Sequence, residues 1–280
     1  MTNSPILCFG FDRPMHLERM LTSLENNEES KTSTVFICID GPTKDTDLEM
    51  HSKTVKVAKK NWDFHKTNLI IRDKNLTCRT NIIETISEVF KVHDKLIILE
   101  DDLVLGPKFL SYMNNALNIY EDEKNMWCIN GYTYRQLNNK TGASISKYVS
   151  PWGWATWSDR WNIFVNQDYD KKNFISDLSV SERKKFNMEN LYDWENIIVK
   201  NEEGKISAWD AYWYQAIYLN NGFTLYPNKS HVINEGFDGT GMHCSDTNDW
   251  KTPLNSSETK RFPKQIKLSK LFMFNTLNFY

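Results

Sequence analysis

Four groups of residues in the chain could carry chemistry. Glu100-Asp101-Asp102 follows the apolar run Lys95-Leu96-Ile97-Ile98-Leu99, so three consecutive carboxylates stand where a buried strand should end. Buried without a counter-charge they would repel one another, and a divalent cation relieves that repulsion. Hard carboxylate oxygens suit Mg²⁺ or Mn²⁺, ions that take one or two protein carboxylates and fill their shell with water and substrate phosphates. The plainer alternative is a solvated acidic loop in which Asp102 caps a helix. Asp210 lies among large aromatics in Trp209-Asp210-Ala211-Tyr212-Trp213. It is either a helix cap or a carboxylate made more basic by indole desolvation, as a general base requires.

The third group is Trp152-Gly153-Trp154-Ala155-Thr156-Trp157, continued by Arg160 and Trp161. Trp154, Trp157 and Trp161 have helical spacing, which predicts a core-facing helix. Trp152 beside Gly153 reads as a turn that exposes indole surface. Sugar rings present C–H faces that pack on aromatic planes, so a carbohydrate site is the sharper alternative. The fourth group, Gly236-Phe237-Asp238-Gly239-Thr240-Gly241-Met242-His243-Cys244, has three glycines and reads as a flexible loop able to approach a ligand closely. His243 stands alone there, and a lone His is more often structural than a metal ligand.

The elements around these residues alternate. Pro5–Gly10, Thr34–Ile39, Asn68–Ile71 and Lys95–Leu99 are short, continuously apolar runs. Between them Leu17, Met20, Leu21 and Leu24, and then Ile82, Ile83, Ile86, Val89 and Phe90, recur at helical spacing. Pro14 stands at a helix start. This is the pattern of an α/β protein with a mainly parallel sheet covered on both faces, in which ligands bind where strands end in loops. Neither Gly-x-Gly-x-x-Gly nor a phosphate-binding Gly-x-x-x-x-Gly-Lys-Ser/Thr occurs.

Composition narrows the function classes. The 280 residues carry 36 acidic and 34 basic side chains and are 40% apolar, which excludes a disordered chain and argues against a general nucleic-acid binder. Aromatics reach 13%, with ten Trp, most of them between 152 and 213. Five dispersed cysteines, Cys8, Cys38, Cys78, Cys128 and Cys244, read as thiols in a reducing compartment. No signal peptide or apolar run of membrane-spanning length is visible, so a cytoplasmic location is expected. Lys260, Arg261, Lys264, Lys267 and Lys270 fall in a segment without a single acid, which continues Leu271-Phe272-Met273-Phe274. Such a basic, aromatic segment can lie peripherally in a membrane interface, or pack as a helix on the domain.

Taken in order, Phe9-Gly10-Phe11-Asp12-Arg13-Pro14, Ile39-Asp40-Gly41-Pro42, Leu99-Glu100-Asp101-Asp102-Leu103, the Trp152–Trp157 segment, Trp209-Asp210 and the Gly236–Cys244 loop resemble GT-A fold glycosyltransferases. The set is similar to bacterial sugar transferases of surface-polysaccharide synthesis, O-antigen and capsule, and more distantly to N-acetylglucosaminyltransferase I. The resemblance implies a single continuous Rossmann-like domain. Residues 1–130 would form its nucleotide-sugar half, 131–250 its acceptor and catalytic half, and 251–280 a basic, aromatic tail. It also implies roles. Arg13 would sit near the donor phosphates and Asp40 would read a uracil edge. Asp102 would hold Mn²⁺ or Mg²⁺, Asp101 the ribose and Glu100 hydroxyls of the transferred sugar. Asp210 would be the base. Trp152, Trp154 and Trp209 would face sugar. The loop up to His243 would close over the nucleotide, though Met242 stands where a small hydroxyl residue is expected to meet phosphate.

The expected activity is therefore metal-dependent, inverting transfer of a sugar from a nucleoside diphosphate, UDP by the resemblance, to a hydroxyl of a glycan acceptor, which the resemblance implies is lipid-linked. The chemistry agrees. Attack on an anomeric carbon needs one base, and a diphosphate leaving group needs charge neutralised, not a proton. The alternatives are a sugar-nucleotide nucleotidyltransferase, which should carry a Gly-rich basic loop where Phe9–Pro14 stands, and a carbohydrate-binding protein that lacks turnover.

Overall fold

The computed structural model describes residues 3–134, 136–137, 142–167, 174–190, 192–239 and 250–277. Strands β1 (Ile6–Gly10), β2 (Thr34–Ile39), β3 (Lys66–Ile71) and β4 (Lys95–Glu100) fall on the four apolar runs. Helices α1 (Pro14–Glu25), α2 (Leu48–Ala58) and α3 (Cys78–Val89) return the chain between them. Pro14 opens α1, where its fixed φ and missing N–H cost nothing. A short β5 (Leu103–Leu105) and α4 (Phe109–Ile119) follow, then β6 (Met126–Asn130), β7 (Ala143–Ser146) and β8 (Trp154–Trp157). The helices α5 (Ser158–Asn166), α6 (Phe174–Asp177), α7 (Val180–Phe186), α8 (Trp194–Glu202) and α9 (Trp209–Leu219) lead to β9 (Phe223–Pro227) and β10 (Val232–Asn234), and α10 (Lys270–Leu277) comes last.

Eight strands form one sheet in the order β3-β2-β1-β4-β8-β6-β9-β7. The pairs β1·β2, β1·β4, β2·β3 and β6·β9 are parallel, whereas β8 and β7 run against their neighbours. The alternation of side chains across the strands explains why the runs are apolar throughout. Ile6, Cys8, Ile97 and Leu99 enter one core with α1 and α4, while Leu7, Phe9, Leu96 and Ile98 enter the other with α3 and α9. The result is the expected mixed α/β architecture. Because β8, β9 and β7 join the sheet of β1–β4, residues on either side of position 130 share one framework. β5 and β10 form a separate antiparallel ribbon.

The single helix expected from the spacing of Trp154, Trp157 and Trp161 does not form. Trp154 and Trp157 lie on β8, whose ladders to β4 and β6 override the local pattern, and α5 begins only at Ser158. The tryptophans are mostly core: Trp154, Trp161 and Trp127 all pack on Trp213, with ring centroids 5.5, 5.5 and 5.7 Å away. Cys8, Cys38, Cys78 and Cys128 are free thiols. Among the described residues no helix is long and apolar enough to cross a membrane.

Residues 250–273 run as a strap over the domain. Phe262 stacks on Tyr112 at 6.0 Å, the Tyr120 hydroxyl donates to the Pro263 carbonyl at 2.8 Å, and Phe272 is buried on Tyr226. The backbone of the basic segment is thus docked on the fold. His231 lies beneath the strap, fully buried, its ring stacked on Tyr112 and its Nε2 2.9 Å from the Thr259 hydroxyl. Burial pushes its pKa down from 6.5 to about 4. Between those values an unfolded chain binds a proton that the fold does not, so stability should fall as pH drops through this window, by up to about 3 kcal/mol. Urea midpoints at neutral pH and near the lower value test this. His231→Gln should lose less on acidification than the parent, and an equal loss in both proteins would remove His231 as the cause.

Candidate active site

Parallel strands in register end together, and here they end on charge. Gly10 lies opposite Ile39 and Phe9 opposite Glu100, so Arg13, Asp40 and Glu100-Asp101-Asp102 emerge side by side at the carboxyl edge of β1, β2 and β4. Arg13 pairs through Nη2 with Asp101 and lies 3.3 Å from Asp102 Oδ2. β5 starts at Leu103, so Asp102 caps no helix.

One guanidinium faces three carboxylates, and the imbalance registers on the acids. Burial raises the pKa of Glu100 well above the usual carboxylate range, and the charges of Asp102, Asp210 and Asp101 raise it further. Asp101 is pushed up to about 7 because burial outweighs the pull of Arg13. Removing the guanidinium should therefore be costly. Arg13→Met is expected to lower stability by about 1–3 kcal/mol at neutral pH, because a carboxyl that is only 5% exposed loses its ion-pair partner and must take up a proton to stay buried. Calorimetric melting checks this, and a melting temperature equal to the parent's would contradict it. The loss should shrink in acid, where Asp101 takes up a proton.

Asp210 comes to this cluster from α9, on the face of the sheet that α3 also covers. It lies in the first turn of α9, its Oδ1 accepting from the Ala211 N–H at 3.1 Å, and its charge reaches Glu100. The start of α3 lies beside both. The thiol of Cys78, raised chiefly by burial, also lies in the fields of Glu100, Asp210, Asp40 and Asp101. Arg79 stands 4.3 Å over the Tyr212 ring and ties α3 to α9. The sequence resemblance is too weak around Cys78 and Arg79 to assign them a role, although the rule that points to strand ends applies equally to the loop after β3. Thr77, just before α3, has φ 68° and ψ 154°, a conformation unusual for a residue with a side chain and costing of order 1–3 kcal/mol.

Asp40 is held rigidly. Its Oδ1 accepts from the N–H groups of Gly41 and Leu76 at 2.9 and 3.0 Å, and its backbone carbonyl is 2.8 Å from His51 Nε2. Burial raises its pKa against these bonds.

The β5–β10 ribbon brings a distant loop to the acids. Asn234 lies opposite Leu103, and the Glu235 N–H donates to the Asp102 carbonyl at 2.8 Å. Glu235 is clasped to α1 by Arg19 at 2.9 Å, and Asp238 lies 3.1 Å from His16 Nε2. Gly236 is needed here, since a Cβ on it would overlap Asp102 Oδ2. Gly236–Gly239 are the described part of the Gly-rich loop, and His243 lies outside the described residues, as do Thr240, Met242 and Cys244.

The aromatic expectations divide. Trp154 is 0% and Trp209 5% exposed, stacked on each other at 5.4 Å. Their placement as sugar-facing platforms is corrected: β8 is an interior strand and α9 packs over it, so Trp154 has no open face and Trp209 barely an edge. Trp152, which precedes β8, is partly exposed and meets Phe237 at 5.5 Å and Trp250 at 5.8 Å. Beside this box lies a cavity of about 300 Å³ whose lining includes Phe237, Trp250, Asn234, Arg19 and Lys251. Trp250 was invisible to sequence reasoning because only the fold returns it to Trp152.

Among the described residues no group of three or more His, Cys, Asp or Glu side chains is placed to hold a metal ion alone. A hard cation with one or two protein ligands fits better. Asp102 offers a carboxylate beside the space that Gly236 leaves open, in a cluster whose negative charge Arg13 does not balance.

No protein-family model matches the sequence, and no curated protein matches it. Among solved structures, the mannosyltransferase PcManGT from Pyrobaculum calidifontis in complex with GDP-Man and Mn2+ aligns at 10% identity over 57% of this chain and 46% of that one, with a TM-score of 0.43. S. aureus TarS aligns at 12% identity over 84% of this chain and 37% of its own length, with a TM-score of 0.42. The chain thus spans less than half of either structure, and both scores are too low to establish a common fold.

Proposed function

We propose that the chain is an inverting glycosyltransferase that moves a sugar from a UDP donor to a hydroxyl of a glycan acceptor, with a divalent cation. The observation that supports this reading is that Asp102 and Asp210 both act on Glu100 by their charge, so a cation-seeking acid cluster and a separate carboxylate base lie close enough to serve one reaction. Bacterial surface-polysaccharide synthesis is the setting that the sequence resemblance suggests.

The division of labour follows from the chemistry. As the acceptor oxygen bonds to the anomeric carbon, its proton passes to Asp210 and the bond from that carbon to the diphosphate oxygen breaks. Attack from the side opposite the leaving group inverts the anomeric centre. A bound cation, held by Asp102, would neutralise charge developing on the departing diphosphate. Arg13 adds a fixed positive charge at the same edge, Asp101 takes the ribose and Glu100 the hydroxyls of the moving sugar. Trp152, with Phe237 and Trp250, offers aromatic faces for an acceptor ring.

Asp40 supports uracil over guanine. One of its oxygens already accepts from two backbone donors, which leaves the other oxygen to receive the one N–H on the pairing edge of uracil. Guanine would present two adjacent donors to one open oxygen. Mn²⁺-dependent release of nucleoside diphosphate from a panel of UDP- and GDP-sugars is the test. Turnover of UDP-sugars is expected. Equal turnover of GDP-sugars would overturn the base assignment, and tight UDP binding without turnover of any sugar would overturn the enzyme.

A further inference from the structure

We infer that the strap and α10 form a docking surface for an anionic lipid bilayer. The inference stands independently of the glycosyltransferase reading. Lys260, Arg261, Lys264, Lys267 and Lys270 are all exposed, and among the described residues none of them makes an ion pair or hydrogen bond through its side chain. The strap holds these cations outward because its apolar residues point in: Phe262 stacks on Tyr112, and Phe272 is 1% exposed against Tyr226. The backbone is fixed too, by the Ala143 N–H on the Arg261 carbonyl at 2.9 Å and the Ser269 N–H on the Ile145 carbonyl at 3.0 Å. The charges therefore sit on a docked ridge.

Two leucines on this ridge favour lipid over any other polyanion. Successive residues of a helix point about 100° apart, so Leu271 cannot follow Phe272 into the core, and it remains 44% exposed beside Lys270. Leu268 is 38% exposed beside Lys267. Apolar side chains set among unpaired cations are the composition of an interfacial segment, in which lysines meet headgroup phosphates and leucines enter the acyl boundary. A nucleic acid or other soluble polyanion would give the leucines nothing, and the 29 basic and 36 acidic residues that precede the ridge would repel one that wrapped further.

The test is co-sedimentation of the full chain with phosphatidylcholine vesicles, with and without about 30% phosphatidylglycerol. Binding is expected to anionic vesicles alone, and to weaken at least ~10-fold near 1 M salt, where screening shortens the reach of charge to about 3 Å. Lys264→Glu, Lys267→Glu and Lys270→Glu combined should lower binding by at least about 10-fold, with unchanged melting temperature. Leu271→Ser should lower it several-fold. Should the charge reversal melt early, Lys→Gln at the same positions replaces it. Failure of the parent to sediment, equal binding to neutral vesicles, or a charge variant that binds like the parent would overturn the inference. So would efficient competition by dextran sulfate with Leu271→Ser silent, because the ridge would then be a site for soluble polyanions.

Discussion

Asp210→Asn should transfer sugar roughly 10²–10⁴-fold more slowly than the parent while binding UDP with unchanged affinity. The substitution keeps the shape of the side chain and an oxygen for the Ala211 N–H, which Asp210 Oδ1 accepts at 3.1 Å, so the first turn of α9 is preserved. What disappears is the ability to take a proton from the acceptor hydroxyl. Donor affinity should survive, because the groups assigned to the donor, Arg13, Asp40, Asp101 and Asp102, come from the ends of β1, β2 and β4 and not from α9. Single-turnover transfer alongside UDP titration separates the two effects. Normal transfer in the variant would place the base elsewhere, and lost UDP affinity would make Asp210 a donor ligand.

Asp102→Ala is the complementary experiment, with loss in binding instead of chemistry. Mn²⁺-dependent UDP affinity should fall at least about 100-fold, since even partners of metal ligands are worth 10–100-fold. The fold should tolerate the change. The β5–β10 ribbon is held by the Asp102 backbone carbonyl, on which the Glu235 N–H donates, and Arg13 keeps Asp101 as its partner. Removing one negative charge from a crowded set also relieves Glu100. Gly236→Ala reaches the same carboxylate from outside, because its methyl would overlap Asp102 Oδ2 and force it to move. Unchanged Mn²⁺ affinity in Asp102→Ala, measured calorimetrically with UDP present, would remove this residue from the metal site.

The two variants bear on residues whose legibility in the sequence differs. Glu100-Asp101-Asp102 announces itself, because three acids after a continuously apolar run can only mark the end of a buried strand. Arg13 and Asp40 stand just after β1 and β2, but it was the family resemblance that singled them out. Asp210 was readable as an acid among indoles, but nothing local said that it would approach Glu100. The tryptophans were the least legible. Spacing cannot tell Trp154, with no face open, from Trp152, two residues earlier and partly exposed, since the difference comes from β8 entering between β4 and β6.

The order of strands and helices over the first hundred residues, the covered, mainly parallel sheet and the edge at which charge collects were determined by the sequence itself. Hydrophobic periodicity is a local property, and a strand buried on both faces must show it at every position. Tertiary structure alone decided that Arg13 answers Asp101, that the loop after β10 lies against Asp102, that Trp250 returns to Trp152, and that Phe262 and Phe272 dock the basic strap. Each of these depends on pairing between segments far apart in the chain, and the free energy of such pairing resides in packing and register that no short window of residues contains.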